Sequence, residues 1–189
     1  MSQIAHNADE PARPRRSMEM VGLLAGLVIF ALGQILLRHF TIDDAWISFR
    51  YARHWAEGLG PVYNPTGAPV EGYTDFLWVA VLALLHRVGL PVPETAKVLG
   101  GLLGAGTIVL LWRLPRAFGL HHRLPAAALF IGLSGLMATA CAQGLETALL
   151  IFLMALLATV LPGEAETRAA WRSALVLLAL ALTRPDGLL

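Results

Sequence analysis

Five stretches of the chain carry no Asp, Glu, Lys or Arg: residues 21–37, 98–112, 124–145, 147–163 and 173–183. Long uncharged apolar runs are the pattern of helices that cross lipid, where only a helix or a closed barrel satisfies every backbone N–H and C=O. The first run predicts a membrane helix over Met18 to Leu37. Before it, residues 1–17 are polar, contain Pro11 and Pro14, and end in Arg13, Arg15 and Arg16. They read as a disordered cytoplasmic tail, because basic residues flanking a first span hold that end inside. The run is longer than a signal-peptide core and ends in Leu36-Leu37-Arg38 without small residues, so it reads as a retained span.

From Arg38 to Asp75 the pattern becomes mixed, with five aromatics between Phe40 and Trp55 and a Gly/Pro-rich second half. This is an extramembrane loop, 38–75. Within it Ala45, Phe49, Ala52, Ala56 and Leu59 recur at helical spacing, while Arg50, Arg53, His54 and Glu57 fall on the other side. That spacing predicts an amphipathic helix lying on the membrane surface, stopped by Gly58 and Gly60. Residues 61–73 are dense in turn formers, with a β-turn expected at Asn64-Pro65-Thr66-Gly67.

The apolar runs then resume at Phe76 to Leu90, Ala96 to Leu114, Pro125 to Gln143, Ala148 to Leu161, and Ser173 onward. The chain is thus expected to be an all-α polytopic membrane protein, with residues 18–189 as its membrane domain. If Phe76 to Leu90 crosses fully, the basic loop Arg113 to Arg123 falls outside, against the positive-inside rule. If that short segment dips and returns, the basic loop is cytoplasmic, and Gln143 to Thr147 and the Arg184 region face outward. The charge rule favours the second arrangement. The sequence stops at Leu188-Leu189 inside an apolar run, as a fragment of a longer protein would.

Composition narrows the function classes. The 189 residues are 57% hydrophobic and 14% charged, which excludes a water-soluble globule. A net charge of +1 with scattered basic residues gives no footprint for nucleic acid. The single cysteine, Cys141, excludes an internal disulfide and a Cys-based zinc site, and reads as small-residue packing.

The strongest local chemistry is Thr41-Ile42-Asp43-Asp44, two adjacent carboxylates between the first span and the amphipathic helix. Burial of one beside an apolar wall would raise its pKa and prepare a general base; the alternative is a simple helix N-cap. With His39 and His54 nearby, a divalent cation is conceivable, although the spacing is not that of a metal site. Gly132-Leu133-Ser134-Gly135 matches the short Gly-x-Ser-Gly pattern of rhomboid proteases. No histidine follows it, so Ser134 and its neighbours read as helix packing. Glu146, Arg184 and Asp186 place charge beside apolar runs, where it lines a cavity or marks a helix end.

Together these pieces resemble one family. The stretch TIDDAWISFRYARHWAEGLGPVYNPTGAPVEGYTDFLW, Thr41 to Trp78, is similar to the first extracytoplasmic loop of bacterial GT-C-fold membrane glycosyltransferases, in the arabinofuranosyltransferase-like branch. GLETALL at Gly144 to Leu150 and LTRPDGLL at Leu182 to Leu189 extend the likeness. The resemblance implies a GT-C-like helix bundle, here its N-terminal part, in the bacterial inner membrane. It implies a site facing the periplasm or cell exterior, a polyprenyl-phosphate-linked sugar as donor, and a glycan, lipid or protein as acceptor; no cofactor is predicted, with a divalent cation left open. It assigns Asp43 as the base that takes the acceptor proton and Asp44 as the group that orients acceptor or base. Arg50, Arg53 and Arg184 would face the phosphate; Glu71, Tyr73, Thr74, Glu146 and Asp186 would meet sugar hydroxyls. Two other readings stay open. In a transporter-like relay Asp43, Glu146 and Asp186 would be spread through the membrane depth; a noncatalytic scaffold would need none of them.

Overall fold

The computed structural model describes residues 13–66, 70, 72–119, 125–167 and 170–185. Among the described residues the chain is all-helical, without strands. The helices are α1 (Arg13–Leu36), α2 (Ala45–Ala56), α3 (Phe76–Arg87), α4 (Val92–Ala117), α5 (Pro125–Leu133), α6 (Gly135–Ala142), α7 (Thr147–Thr167) and α8 (Trp171–Thr183). Helix α1 starts at Arg13, inside the stretch expected as tail; residues 1–12 of that tail, Gly67 of the expected β-turn, Glu71 and Asp186 lie outside the described residues.

Three segments, Ser17–Leu36, Val92–Ala117 and Thr147–Ala165, are long and apolar enough to cross a membrane. Their surfaces fit that solvent. Along α1, Leu24, Val28 and Leu32 form an exposed apolar row, while Leu23 and Phe30 on the other side are buried against the protein. A helix apolar on both faces needs lipid on one of them.

The helices approach closely because glycines line their contacts. A Cβ at Gly26 of α1 would overlap the Ala128 carbonyl of α5, and one at Gly132 would overlap the Gly26 carbonyl. A Cβ at Gly100 of α4 would likewise overlap the Cys141 carbonyl of α6. Small residues thus serve backbone-to-backbone packing, as the sequence suggests. Ser134 divides α5 from α6, and its Oγ accepts the Met137 N–H at 3.3 Å, a helix cap and not a nucleophile. Cys141 is buried against Phe30, Ile108 and Trp112.

Contacts at the helix ends fix the chain's course. Lys97 Nζ, near the start of α4, donates to the Arg38 carbonyl just beyond α1 (2.7 Å), and Gln34 Nε2 in α1 donates to the Ala138 carbonyl in α6 (2.9 Å). Arg184, after α8, pairs with Glu146, before α7, at 3.4 Å. At the opposite end, Glu164 accepts the Arg172 and Ser173 backbone N–H groups (2.7 and 3.0 Å) and so caps the start of α8. Between Arg38 and Lys97 the chain therefore leaves and returns at one end of the bundle. Helix α3 has 12 residues, about 18 Å at 1.5 Å per residue, well short of a ~30 Å crossing. Its length and the return of the chain to the same end fit the arrangement in which this segment does not cross.

Helix α2 departs from expectation in what covers it. Ala45, Phe49 and Ala52 are buried as the spacing requires, but they join Trp78, Val79, Leu82 and Ala83 of α3 in one core. Its apolar side meets protein. Leu59, expected on the same stripe, is half exposed beyond the helix end.

This course predicts sidedness. In intact cells, Leu59→Cys is expected to react with a membrane-impermeant maleimide, whereas Phe118→Cys reacts only after permeabilisation, as read by mass shift on a gel. Labelling of both from one side would require α3 to cross.

Candidate functional site

At the end of the bundle reached by residues 38–97, two cavities open on either side of the start of α2. The larger, about 660 Å³, is lined by Asp44, Ile47, Ser48, Tyr73, Thr74, Asp75, Glu146 and Arg184. Its size is within the range of small-molecule sites. The smaller, about 460 Å³, is lined by Asp43, Trp46, Ile47, Phe49, Arg50, Arg53, His54 and Tyr63. The adjacent aspartates therefore serve different cavities, with Ile47 common to both.

Local structure explains each position. The Ala45, Trp46 and Ile47 N–H groups bond the Ile42, Asp43 and Asp44 carbonyls at 3.1 Å each, so the helix winds up directly from the acidic pair. Asp44 occupies the N-cap, yet its side chain makes no capping hydrogen bond. The N-cap reading thus holds for the backbone and leaves the carboxylate to the cavity. Both aspartates are exposed. The buried carboxylate is Asp75, 4% exposed, which immediately precedes α3 and accepts the Ser48 Oγ–H at 2.8 Å.

The 72–75 segment is placed by aromatic packing. Tyr51 Oη donates to the Val70 carbonyl at 2.6 Å, and the Tyr51 and Tyr73 rings lie 4.5 Å apart. Gly72 passes so near that a Cβ would come 2.8 Å from Tyr51 Oη. Tyr73 is thereby half buried and Thr74 is exposed at the cavity rim. From the far side, the α6–α7 turn brings in Glu146, itself buried and paired with Arg184.

Of the residues singled out from the sequence, the larger cavity gathers Asp44, Tyr73, Thr74, Glu146 and Arg184, and the smaller gathers Asp43, Arg50 and Arg53. Arg50 is also a strut: Nε donates to the Tyr63 carbonyl (2.8 Å), a terminal nitrogen donates to Asn64 Oδ1 (3.2 Å), and the guanidinium lies 4.4 Å from the Tyr63 ring centroid. His54 Nδ1 lies 2.8 Å from the Val62 carbonyl; a carbonyl can only accept, so Nδ1 carries the proton. His39 Nε2 accepts from Arg38 Nε at 3.0 Å. Of the four groups considered for a cation, Asp43 and His54 share the smaller cavity and Asp44 faces the larger, and among the described residues no cluster of three or more His, Cys, Asp or Glu could hold a metal.

Asp75 and Ser48 were not singled out from the sequence. Their signal is faint: an acid abutting the apolar run at Phe76, and a serine four residues after Asp44, on the same helical side.

Electrostatically, the larger cavity sets three carboxyl groups against Arg184. Burial is the main influence on Asp75 and pushes its carboxyl above the ordinary value, opposed by the Ser48 hydrogen bond, its own backbone and the Arg184 charge. Such a site suits proton transfer and hydroxyl binding better than capture of a second anion.

Compared with family models, curated proteins and solved structures, the chain matches none of them.

A carboxyl whose pKa is higher folded than unfolded costs little while protonated and most once ionised. Its contribution to stability is full below the unfolded value, near 3.8, and is lost as pH rises through the raised folded value. Asp75→Asn cannot ionise and keeps an oxygen to accept from Ser48. Its melting temperature in detergent is expected to match the parent near pH 4 and to exceed it by a few degrees at neutral pH. A gap that does not change with pH would mean that the carboxyl is not desolvated.

Proposed function

We propose that this chain carries the active-site region of a membrane glycosyltransferase of the bacterial inner membrane, working on its outer face. The enzyme moves a sugar from a polyprenyl-phosphate donor to a hydroxyl of a glycan, lipid or protein. One observation carries the reading. All three stretches on which the resemblance rests, the first through Asp44 and Asp75, the second through Glu146 and the third through Arg184, line one polar cavity at one end of an apolar bundle. Gathering these acids at one face is what a transferase needs, whereas a relay would spread them through the depth. The packing of α2 and α3 on the start of α4, at one end of the three long apolar helices, supports a GT-C-like arrangement in which a helical loop caps a membrane bundle.

In the proposed reaction a carboxylate takes the acceptor proton as the acceptor oxygen bonds to the anomeric carbon. The bond from that carbon to the phosphate oxygen breaks, the phosphate leaves with the electron pair, and configuration inverts. We assign the base to Asp44 and not to Asp43, which the resemblance suggests, because Asp44 shares its cavity with the groups that can hold hydroxyls. Asp75, positioned by Ser48, and Glu146, positioned by Arg184, fix the acceptor's hydroxyls, and Tyr73 offers a ring edge to its sugar face.

Single variants separate these roles. In membranes supplied with a polyprenyl-phosphate pentose and an acceptor oligosaccharide, Asp44→Asn is expected to lower kcat by roughly a hundredfold or more with donor KM nearly unchanged. Asp43→Asn is expected to act mainly on donor KM. The opposite pattern would return the base to Asp43, and unchanged turnover in both would remove the acidic pair from the chemistry.

A further inference from the structure

At the C-terminal end of α4, away from α2 and α3, lies a further cavity of about 420 Å³, lined by Leu110, Arg113, Arg116, Ala117 and Thr159. Its place follows from how α4 runs beside α7. A Cβ at Gly106 would come 2.8 Å from the Phe152 ring, and seven residues further along the two helices stand Arg113 and Thr159. Two turns past a tight contact the helix pair therefore carries a polar gap. Beyond it, a Cβ at Gly163, one turn after Thr159, would have nothing within 4 Å among the described residues. Both arginines are exposed, and among the described residues neither has a carboxylate within ion-pair distance. Arg116 lies in the last turn of α4, where the helix dipole favours a cation. Arg113, one turn earlier, adds a second positive charge beside it, and like charges three apart on a helix repel. A single anion between them replaces that repulsion with charge-assisted hydrogen bonds.

Depth and the third polar group narrow the anion. From Val92 to Arg113 the helix rises about 32 Å at 1.5 Å per residue, close to the thickness of a bilayer's hydrocarbon core. With the start of α4 at one membrane face, Arg113 reaches the level of the lipid phosphates at the other, and half-buried Leu110 lies toward the acyl chains. The Thr159 hydroxyl donates to the Leu156 carbonyl at 2.7 Å, so toward a ligand its oxygen can only accept. An ammonium head would supply the hydrogen but set a third positive charge beside the arginines, whereas an uncharged hydroxyl head supplies it without that cost.

We infer that this cavity is a site for an anionic glycerophospholipid with a hydroxyl-bearing head, of the phosphatidylglycerol kind. The phosphodiester sits between Arg113 and Arg116, and a head hydroxyl donates to Thr159. The site is independent of the transferase reading. Its lipid ties α4 to α7 at the end opposite the two cavities around α2.

The test is native mass spectrometry of the purified full chain in detergent, titrated with phosphatidylglycerol, phosphatidylmethanol and phosphatidylethanolamine of equal acyl chains, and with glycerol 3-phosphate. Phosphatidylglycerol is expected to bind roughly tenfold more tightly than phosphatidylethanolamine, and less tightly as salt is raised. Arg113→Gln and Arg116→Gln are each expected to weaken it roughly tenfold. Thr159→Val is expected to weaken phosphatidylglycerol about threefold and to leave phosphatidylmethanol, which has the same charge and no head hydroxyl, unchanged. General loss of structure cannot produce that difference. Equal binding of phosphatidylglycerol and phosphatidylethanolamine, or phosphatidylglycerol affinity indifferent to both arginine variants, overturns the site. An equal fall of both anionic lipids in Thr159→Val refutes the hydroxyl contact. Glycerol 3-phosphate binding as tightly as phosphatidylglycerol would make the ligand a soluble phosphate ester and overturn the lipid assignment.

Discussion

The indole N–H of Trp78 donates to the carbonyl oxygen of Gly144 at 3.0 Å, and the arrangement of this whole end of the bundle depends on that contact. It joins the first residues of α3 to the turn between α6 and α7, 66 positions away in sequence. Gly144 adopts φ +93°, a conformation that disfavours any side chain, and a Cβ there would come 2.8 Å from Phe49 Cζ and 3.3 Å from Ala45 Cβ. The turn therefore lies flat on α2. The Ile42 N–H, bonded to the Gln143 carbonyl at 3.2 Å, closes the same junction from the side of the acidic pair. Because Trp78 and Phe49 are both buried in this core, tilting one helix would expose aromatic surface and break a buried hydrogen bond together. Asp44, Asp75 and Glu146 face one space because this junction holds their three segments in register.

A second constraint is angular. Successive residues on a helix are turned by about 100°, so adjacent carboxylates at a helix start cannot both point into one narrow cavity. Asp43 and Asp44 diverge, which also reduces the repulsion that two neighbouring charges would impose. The divergence gives the two cavities opposite character: acids with one paired arginine on one side, two arginines with one acid on the other. The first turns of α2 thus separate an acidic cavity from a basic one.

The sequence made the bundle legible wherever one strong force acted alone. Charge-free runs located α1, α4 and α7. Less legible were effects that depend on the partner. The periodicity of Ala45, Phe49 and Ala52 records a face that avoids water, and protein or lipid satisfies it equally; only the packing of Trp78 and Leu82 decides for protein. Asp43 and Asp44 drew notice as a pair, but which cavity each faces follows from the winding of α2 and not from their spacing. Asp75 was hidden because an acid before an apolar helix reads as a helix end, whereas it is buried and bonded to Ser48, 27 residues away in sequence.

Ser48 shows why the polar cavity and the apolar core must be read together. It is buried on the side of α2 that carries Ala45, Phe49 and Ala52, where an unpartnered hydroxyl would cost about 1–3 kcal/mol. Its partner is Asp75, which is also buried and resists ionisation. If stability alone had shaped this contact, an alanine at 48 with an apolar residue at 75 would satisfy the core without burying a titratable group. The pair instead borders the cavity that three carboxyl groups and Arg184 line, so its cost is offset there by position: Ser48 fixes the Asp75 carboxyl in the wall of that cavity.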